Sequence, residues 1–385
     1  MRNLDYDFND YIERVDSDSA KWDGVSWKFG GPVLPMWVAD MDFPAAECIL
    51  AALHNRLHHP VFGYPDHDDS VQKAAANWLK IRHEWHPNPD DILLIQGVVP
   101  ALYAAVRAFS EPGESVIVMP PIYPPFMHSI TENDRYLETV PLLSDASGFY
   151  TIDFERLERA MHRSKLLMLC SPHNPVGRTW TRAELLSMVD LAKKHNVRIV
   201  SDEIHADLSF DYHPHTPLPL LDEHSIFLGA ASKSFNIAGI GGGIAWVGDP
   251  VLRKRFSEEL GRSCNLGMNA FAKVASKAAW NEGFEWQTAL RRYFNKNALH
   301  IQQRLSASLP DIIYQVPQGS YLAWLDLRAL GKTDSEIEQN LLKAGLGLNL
   351  GPSFGPGGSG YVRLNFGTPR KLLDQGLNLL EQALS

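Results

Sequence analysis

Apolar residues are distributed along this 385-residue chain in two alternating ways, as short continuous runs and as longer stretches with a helical period. The runs DILLIQG, ESVIVMP, KLLMLCSP, RIVSDEI and SIFLGAAS each hold a compact Val/Ile/Leu segment closed by a polar or turn residue. Their length and composition predict strands buried on both faces of a mostly parallel sheet. Beside them, SVQKAAANWLKIRHEW, VPALYAAVRAFS and TRAELLSMVDLAKKHN carry the helical period. In the last of these, Thr181 is placed to cap the helix and Glu184 to complete a capping box. Residues 44–59 add a short amphipathic helix with Ile49, Leu50, Leu53 and Leu57 on one face, interrupted by Phe62-Gly63-Tyr64-Pro65. Alternating strands and helices predict an α/β layer architecture, in which loops at the carboxyl ends of the strands converge on one crevice.

The two ends of the chain depart from this rhythm. The first forty-odd residues are rich in aromatic and turn residues, show no sustained period, and read as an extended arm ending in PVLPMWVADMDFP. After a long helical stretch, NEGFEWQTALRRYFNKNALHIQQRLSASL, come a strand SYLAWLDL, a helix SEIEQNLLKAG, a glycine-rich turn, a strand YVRLNFG and a last helix. We therefore expect a large domain over residues 49–283 and a smaller α/β domain made of residues 1–48 and 284–385.

Charge and cysteine content narrow the function. The chain carries 36 Lys plus Arg against 45 Asp plus Glu, a formal charge of −9, so nothing favours a nucleic-acid partner. The basic run Arg253-Lys254-Arg255 is followed by Glu258 and Glu259 and reads as a solvated helix face. Cys48, Cys170 and Cys264 are too few and too scattered for a disulfide framework or a zinc knuckle. No apolar stretch reaches the length of a membrane span, and the acidic N-terminus lacks the apolar region of a signal peptide, so a cytoplasmic location without a membrane partner is expected.

Three polar residues sit at successive predicted strand ends: Asn174 in SPHNPVG, Asp202 in SDEIH and Lys233 in ASKSFN. They share a purpose if the ligand is a pyridine aldehyde. A lysine forms an imine with the aldehyde and later acts as a base, a carboxylate keeps the ring nitrogen protonated, and an amide donates to the phenolic oxygen. Gly97 and Val98, between a strand and a helix, can offer backbone N–H groups to a phosphate, and Ser232 can add a hydroxyl. Tyr123, held among prolines in PPIYPPF, can stack on the ring or place its hydroxyl near the reacting centre, and His205 can reach the phenolic side. Arg363 in YVRLNFG suits a substrate α-carboxylate, with Asn365 behind it. Each residue alone has an ordinary structural explanation; their joint placement carries the reading.

At these residues the chain resembles the fold-type I pyridoxal-5′-phosphate (PLP) enzymes of the aspartate aminotransferase superfamily, and within them the MalY/PatB group of cystathionine β-lyases. PMWVADMDFP, FGYP, PPIYPPF, SPHNPVGR, SDEIHADL, SKSFNIAG and VRLNFG follow in the order of that group over almost the whole chain. The resemblance implies a PLP cofactor, a homodimer with shared active sites, and Tyr64 reaching the neighbouring subunit's phosphate. It places Ala39 at the substrate carboxylate, and Trp37, Tyr64 and Tyr123 as an aromatic lining for a thioether. It implies β-elimination from L-cystathionine or a related L-cysteine S-conjugate, giving a thiol, pyruvate and ammonia; transamination between an L-amino acid and a 2-oxo acid is the nearest alternative, and regulation by protein contact a remoter one. Two positions depart from the aminotransferase pattern: His205 stands where a tyrosine is usual, and Gly241 where a phosphate-binding arginine is usual.

Overall fold

The computed structural model describes residues 6–385. A seven-stranded sheet forms the centre of the large unit. Its strands, in chain order, are β1 (Ile92–Ile95), β2 (Ser115–Val118), β3 (Tyr136–Thr139), β4 (Ser164–Cys170), β5 (Arg198–Asp202), β6 (Ile226–Gly229) and β7 (Gly243–Val247). They lie in the order β1-β7-β6-β5-β4-β2-β3. The run from β3 to β6 is parallel, and β7 is antiparallel to both β6 and β1. All seven residues of β4 except Lys165 are buried, as both-face burial requires.

Helices pack on both faces, among them α1 (Glu47–His58), α2 (Val98–Phe109), α3 (Phe154–Met161) and α4 (Arg182–His195). The expected capping box of α4 is formed: Thr181 Oγ1 accepts from Glu184 N–H at 3.2 Å, and Glu184 Oε2 accepts from Thr181 N–H at 2.8 Å. The helix expected from Pro44 starts at Glu47, because Ala46 is still extended. One apolar cluster lies between α2 and the sheet, built from residues such as Leu102, Val106, Val118, Met168 and Leu228. A second, on the other face, holds Trp180, Leu185, Met188, Leu167 and Ile199.

A further short helix, α5 (Ala231–Ser234), follows β6, and a 25-residue helix, α6 (Phe284–Ser308), leads into the smaller unit. Its antiparallel sheet has the order β8-β9-β11-β10, from β8 (Ile313–Tyr314), β9 (Leu322–Asp326), β10 (Asn349–Leu350) and β11 (Tyr361–Asn365). The N-terminal arm joins it: Leu34 and Pro35 pair with Leu346 and Gly347, and Met36 O accepts from Asn365 N–H at 2.9 Å. The smaller unit is thus assembled from both chain ends. The large domain's proposed limits, 49–283, put its end at Gly283, the residue between two helices.

Register brings the polar loops together. Cys170 lies opposite Asp202, and Asp202 opposite Leu228, so β4, β5 and β6 end at one level. Because β7 runs the other way, its starting end, with Gly241 and Gly242, reaches that same edge. Among the described residues no helix is long and apolar enough to cross a membrane.

Candidate active site

A cavity of about 480 Å³ opens at this edge, beneath the smaller unit. Its lining includes Trp37, Ala39, Gly97, Val98, Tyr123, Asn174, Asp202, His205, Ser232, Lys233 and Arg363. Every candidate residue of the sequence except Tyr64 and Asn365 therefore borders one space.

Asp202 ends β5 and is 5% exposed. Its side chain accepts a hydrogen bond from Ile204 N–H at 3.0 Å, and among the described residues no cation pairs with it. Burial, with some help from neighbouring Glu203, pushes its carboxyl up to about 7, against the Ile204 N–H and Lys233, which favour the charged form. Lys233, on α5, retains slight access through the cavity, and its Nζ donates to Ala39 O at 2.7 Å. The surrounding protein desolvates the amine and Arg363 repels its charge, which brings it down to about 8. An amine so tuned is partly neutral near neutral pH, as a nucleophile must be.

Arg363 lies on β11, an interior strand, and is 4% exposed. Nη1 donates to Asn174 Oδ1 at 3.1 Å and Nη2 to Trp37 O at 2.9 Å, and the guanidinium sits 5.0 Å above the Phe354 ring. Among the described residues its Nε–H has no partner and no carboxylate pairs with it. Burial lowers it to about 10. Because Arg363 occupies the Asn174 oxygen, the Asn174 amide nitrogen remains as the donor toward the cavity. Asn365, behind the cavity wall, donates through Nδ2 to Val38 O and Asp40 O and so shapes the segment that presents Ala39.

His205 is buried, and its Nδ1 pairs with Ser320 Oγ at 3.2 Å, leaving Nε2 for the cavity. Burial and the charges of Lys233 and Arg363 push it down to about 3, so the ring is neutral. Tyr123 is positioned through its backbone, whose N–H donates to Asn174 O at 3.1 Å; burial raises its phenol. The phosphate cradle differs in one respect from expectation. Gly97 N–H is already taken by Asn265 Oδ1 at 3.2 Å, so the open donors at the start of α2 are those of Val98 and Val99. The wall opposite contains Gly241, at φ +79°, where a Cβ would come within 3.4 Å of Gln96 O.

Two contributors were not foreseen. Tyr321 donates its hydroxyl to the same Ala39 oxygen that Lys233 uses, at 2.9 Å, and burial raises its phenol strongly. The other is an ion cluster that pins the arm. Asp42, 2% exposed, accepts from Lys21 Nζ at 2.6 Å, Arg14 Nη1 at 2.8 Å and Trp22 Nε1 at 2.9 Å, and Arg14 also grips Asp40. Its charges are scattered over thirty residues of an acidic arm, so no local spacing announces it. Tyr64 stands apart: it is fully exposed on a loop with Val61 and Phe62 and does not border its own chain's cavity.

The donor set fits PLP. A buried carboxylate without a counter-ion matches a protonated pyridine nitrogen, free helix N-terminal N–H groups match a phosphate, and a desolvated lysine matches the aldehyde. An unpaired buried guanidinium, across from them, matches a carboxylate.

Residues 33–380 match the family model for class I and II aminotransferases. The chain is 43% identical to the cystathionine β-lyase PatB of Bacillus subtilis, over 98% of this chain and 100% of that protein. It is 34% identical to protein MalY of Escherichia coli, over 98% and 99%. Its fold superposes on the crystal structure of cystalysin from Treponema denticola, which contains pyridoxal 5′-phosphate, with a TM-score of 0.95, 33% identity and 98% of each chain covered.

Proposed function

The chain belongs to the class I and II aminotransferase family, in its MalY/PatB-like part, and from that premise we propose that it is a PLP-dependent C–S β-lyase acting on L-cystathionine or related L-cysteine S-conjugates. A PLP-dependent lyase or aminotransferase activity is common ground for this family; the choice of β-elimination, and of a thioether, is our reading. The observation that supports a PLP-dependent reading is the pair of buried charges, Asp202 and Arg363, bordering one cavity with Lys233; the preference for β-elimination rests on the 43% identity to the cystathionine β-lyase PatB.

PLP, when bound, supplies an electron-accepting ring joined to the substrate nitrogen. Asp202 would hold a proton on the ring nitrogen, and Asn174 would donate to the phenolic oxygen while its own oxygen steadies Arg363. The Val98 and Val99 N–H groups, with Ser232, would receive the phosphate. Arg363 grips the α-carboxylate, which sets the direction of the Cα–H bond toward Lys233. Lys233 would take the Cα proton; the electron pair left at Cα would form the Cα=Cβ bond as the Cβ–S bond breaks with its own pair on sulfur, and the proton held by Lys233 would pass to that sulfur, so that the thiol leaves. Water converts the remaining three-carbon unit to pyruvate and ammonia. Trp37, Tyr123 and Phe354 give the thioether an apolar surround.

We further propose that two copies complete each other's sites. Fully exposed Tyr64 does not border its own chain's cavity, and its loop adjoins, through Phe62 against Phe271, an apolar hollow of Leu53, Leu57, Ile240 and Phe271. A cytoplasmic location remains part of this reading.

Purified, PLP-loaded protein given L-cystathionine without any keto acid tests the proposal. Equimolar catalytic release of homocysteine thiol and pyruvate is expected. Turnover that appears only when a 2-oxo acid is supplied would reassign the protein as an aminotransferase.

A further inference from the structure

At the edge of the large sheet opposite the cavity, two helices end side by side. α3 closes at Met161 with His162 as its C-cap, and α4 closes at His195. They feed the starting ends of β4 and β5, so their junction lies a full strand, roughly 15 Å for five residues, from the catalytic edge.

Three ligand-bearing side chains meet there: Glu158, His162 and His195, with ligand atoms all within 4.8 Å of one another. Glu158 and His162 are four residues apart, one above the other on a single helix face. His195 comes from the last turn of α4, and its ring centroid is 4.1 Å from that of His162. Its Nε2 lies 3.2 Å from Glu158 Oε1. Two ligands bound tetrahedrally at ~2.0–2.1 Å from zinc stand about 3.3 Å apart, so this edge already has the coordination length. The C-terminal ends of two helix dipoles add negative potential around the same point.

We propose that Glu158, His162 and His195 form a zinc-class divalent cation site. Two imidazoles and one carboxylate suit Zn²⁺ and disfavour Mg²⁺ or Ca²⁺, which want oxygen ligands. His162 is exposed, so water completes the fourth position. The ion's role is structural: it ties the end of α3 to the end of α4, far from the reacting groups. Lys194 Nζ stands 2.6 Å from Glu158 Oε1. That side chain is 63% exposed and free to swing away, so it competes with the cation without blocking it. Another close histidine pair, His54 and His58 on α1, has ring centroids 4.6 Å apart and, among the described residues, no third ligand.

The test titrates ZnCl₂ into metal-stripped, PLP-loaded enzyme, comparing the wild type with His162→Ala and Lys194→Ala by calorimetry. Both substitutions are at exposed positions, and retention of the cofactor's visible absorbance checks that each variant is intact. We expect one ion per chain in the wild type with a dissociation constant of about 1–10 µM (roughly −7 to −8 kcal/mol), at least ~10-fold weaker binding in His162→Ala, and tighter binding in Lys194→Ala. Saturating zinc should raise the melting temperature of the wild type and leave that of His162→Ala unchanged. Zinc captured by cofactor or thiols would appear equally in all three proteins. Identical titrations of wild type and His162→Ala would therefore overturn the proposal, as would unchanged affinity on removing the Lys194 ammonium.

Discussion

Replacing Asp202 by asparagine in the cofactor-free protein is expected to make that protein more stable above neutral pH, although it removes a group central to the proposed chemistry. Burial raises the folded-state pKa of Asp202 to about 7, from about 4 in an unfolded chain. Between these values the folded protein keeps a proton that the unfolded chain has released, so stability falls as the pH rises through that interval. Each pH unit corresponds to about 1.4 kcal/mol, and three units give a penalty of about 4 kcal/mol once the pH exceeds 7. Asparagine keeps the shape and the acceptor for Ile204 N–H but has no charge to desolvate. The variant should thus match the wild type near pH 4 and exceed it by up to about 4 kcal/mol at pH 8.

Urea unfolding of both apoproteins at pH 5, 6, 7 and 8 measures this directly. Adding PLP should narrow or reverse the gap, because only the carboxylate gains an ion pair from a protonated ring. Parallel pH profiles for the two apoproteins would refute the argument, since they would mean that Asp202 ionises as readily in the cavity as in water.

Three other outcomes follow from the same geometry. Arg363→Lys should lower kcat/KM by about 100-fold, mainly through KM, because a lysine cannot keep both the Asn174 and Trp37 contacts and still grip a carboxylate bidentately; steady-state kinetics with L-cystathionine decide it. Asp42→Asn should cost about 3–5 kcal/mol by stranding Lys21, which is 1% exposed, and a Lys21→Met, Asp42→Leu double variant should recover much of the loss. Burial alone would raise Asp42, but Lys21, Trp22 and Arg14 outweigh it and hold it low, so its stabilisation is present at neutral pH and lost as the solution is acidified; denaturation with hydrogen exchange of residues 6–24 follows both effects. Tyr64→Phe should weaken PLP affinity by about 10-fold without changing the folded monomer's stability, and mixing it with Lys233→Ala protein should regenerate activity if sites are shared between copies.

The sequence disclosed those features whose cause is local. The capping box at Thr181 and Glu184, the buried runs of β4 and β5, and the polar residue closing each strand are written within a few positions of each other. Features made by distant segments were hidden. β7 lies within GIGGGIAWVG, where glycines argue for a turn, and only its place between β6 and β1 buries all five of its residues. Gly97 reads as a free donor until Asn265, 168 residues away, is found on it. Tyr321 looks like the start of an ordinary strand, and its bearing on Lys233 exists only through the Ala39 oxygen they share. The arm shows no sustained period in sequence, yet Lys21 and Asp42 are among the most buried charges of the described residues.

That contrast gives the site its energetic logic. Asp202 is pushed up while Lys233, His205 and Arg363 are pushed down, so burial drives all four toward neutrality in the empty cavity. Groups buried for packing alone would be paired with one another, as Asp42 and Lys21 are. Among the described residues Asp202 lacks a cation and Arg363 an anion, although both border the same space. A ligand carrying a protonated ring nitrogen and a substrate carboxylate relieves both, and the binding energy is greatest where the charges are least satisfied without it. The pinned arm is what keeps that arrangement from relaxing: Asp42 and Asn365 fix the segment whose Ala39 oxygen holds Lys233, so Lys233 cannot drift to neutralise Asp202 and the cavity stays poised for a ligand.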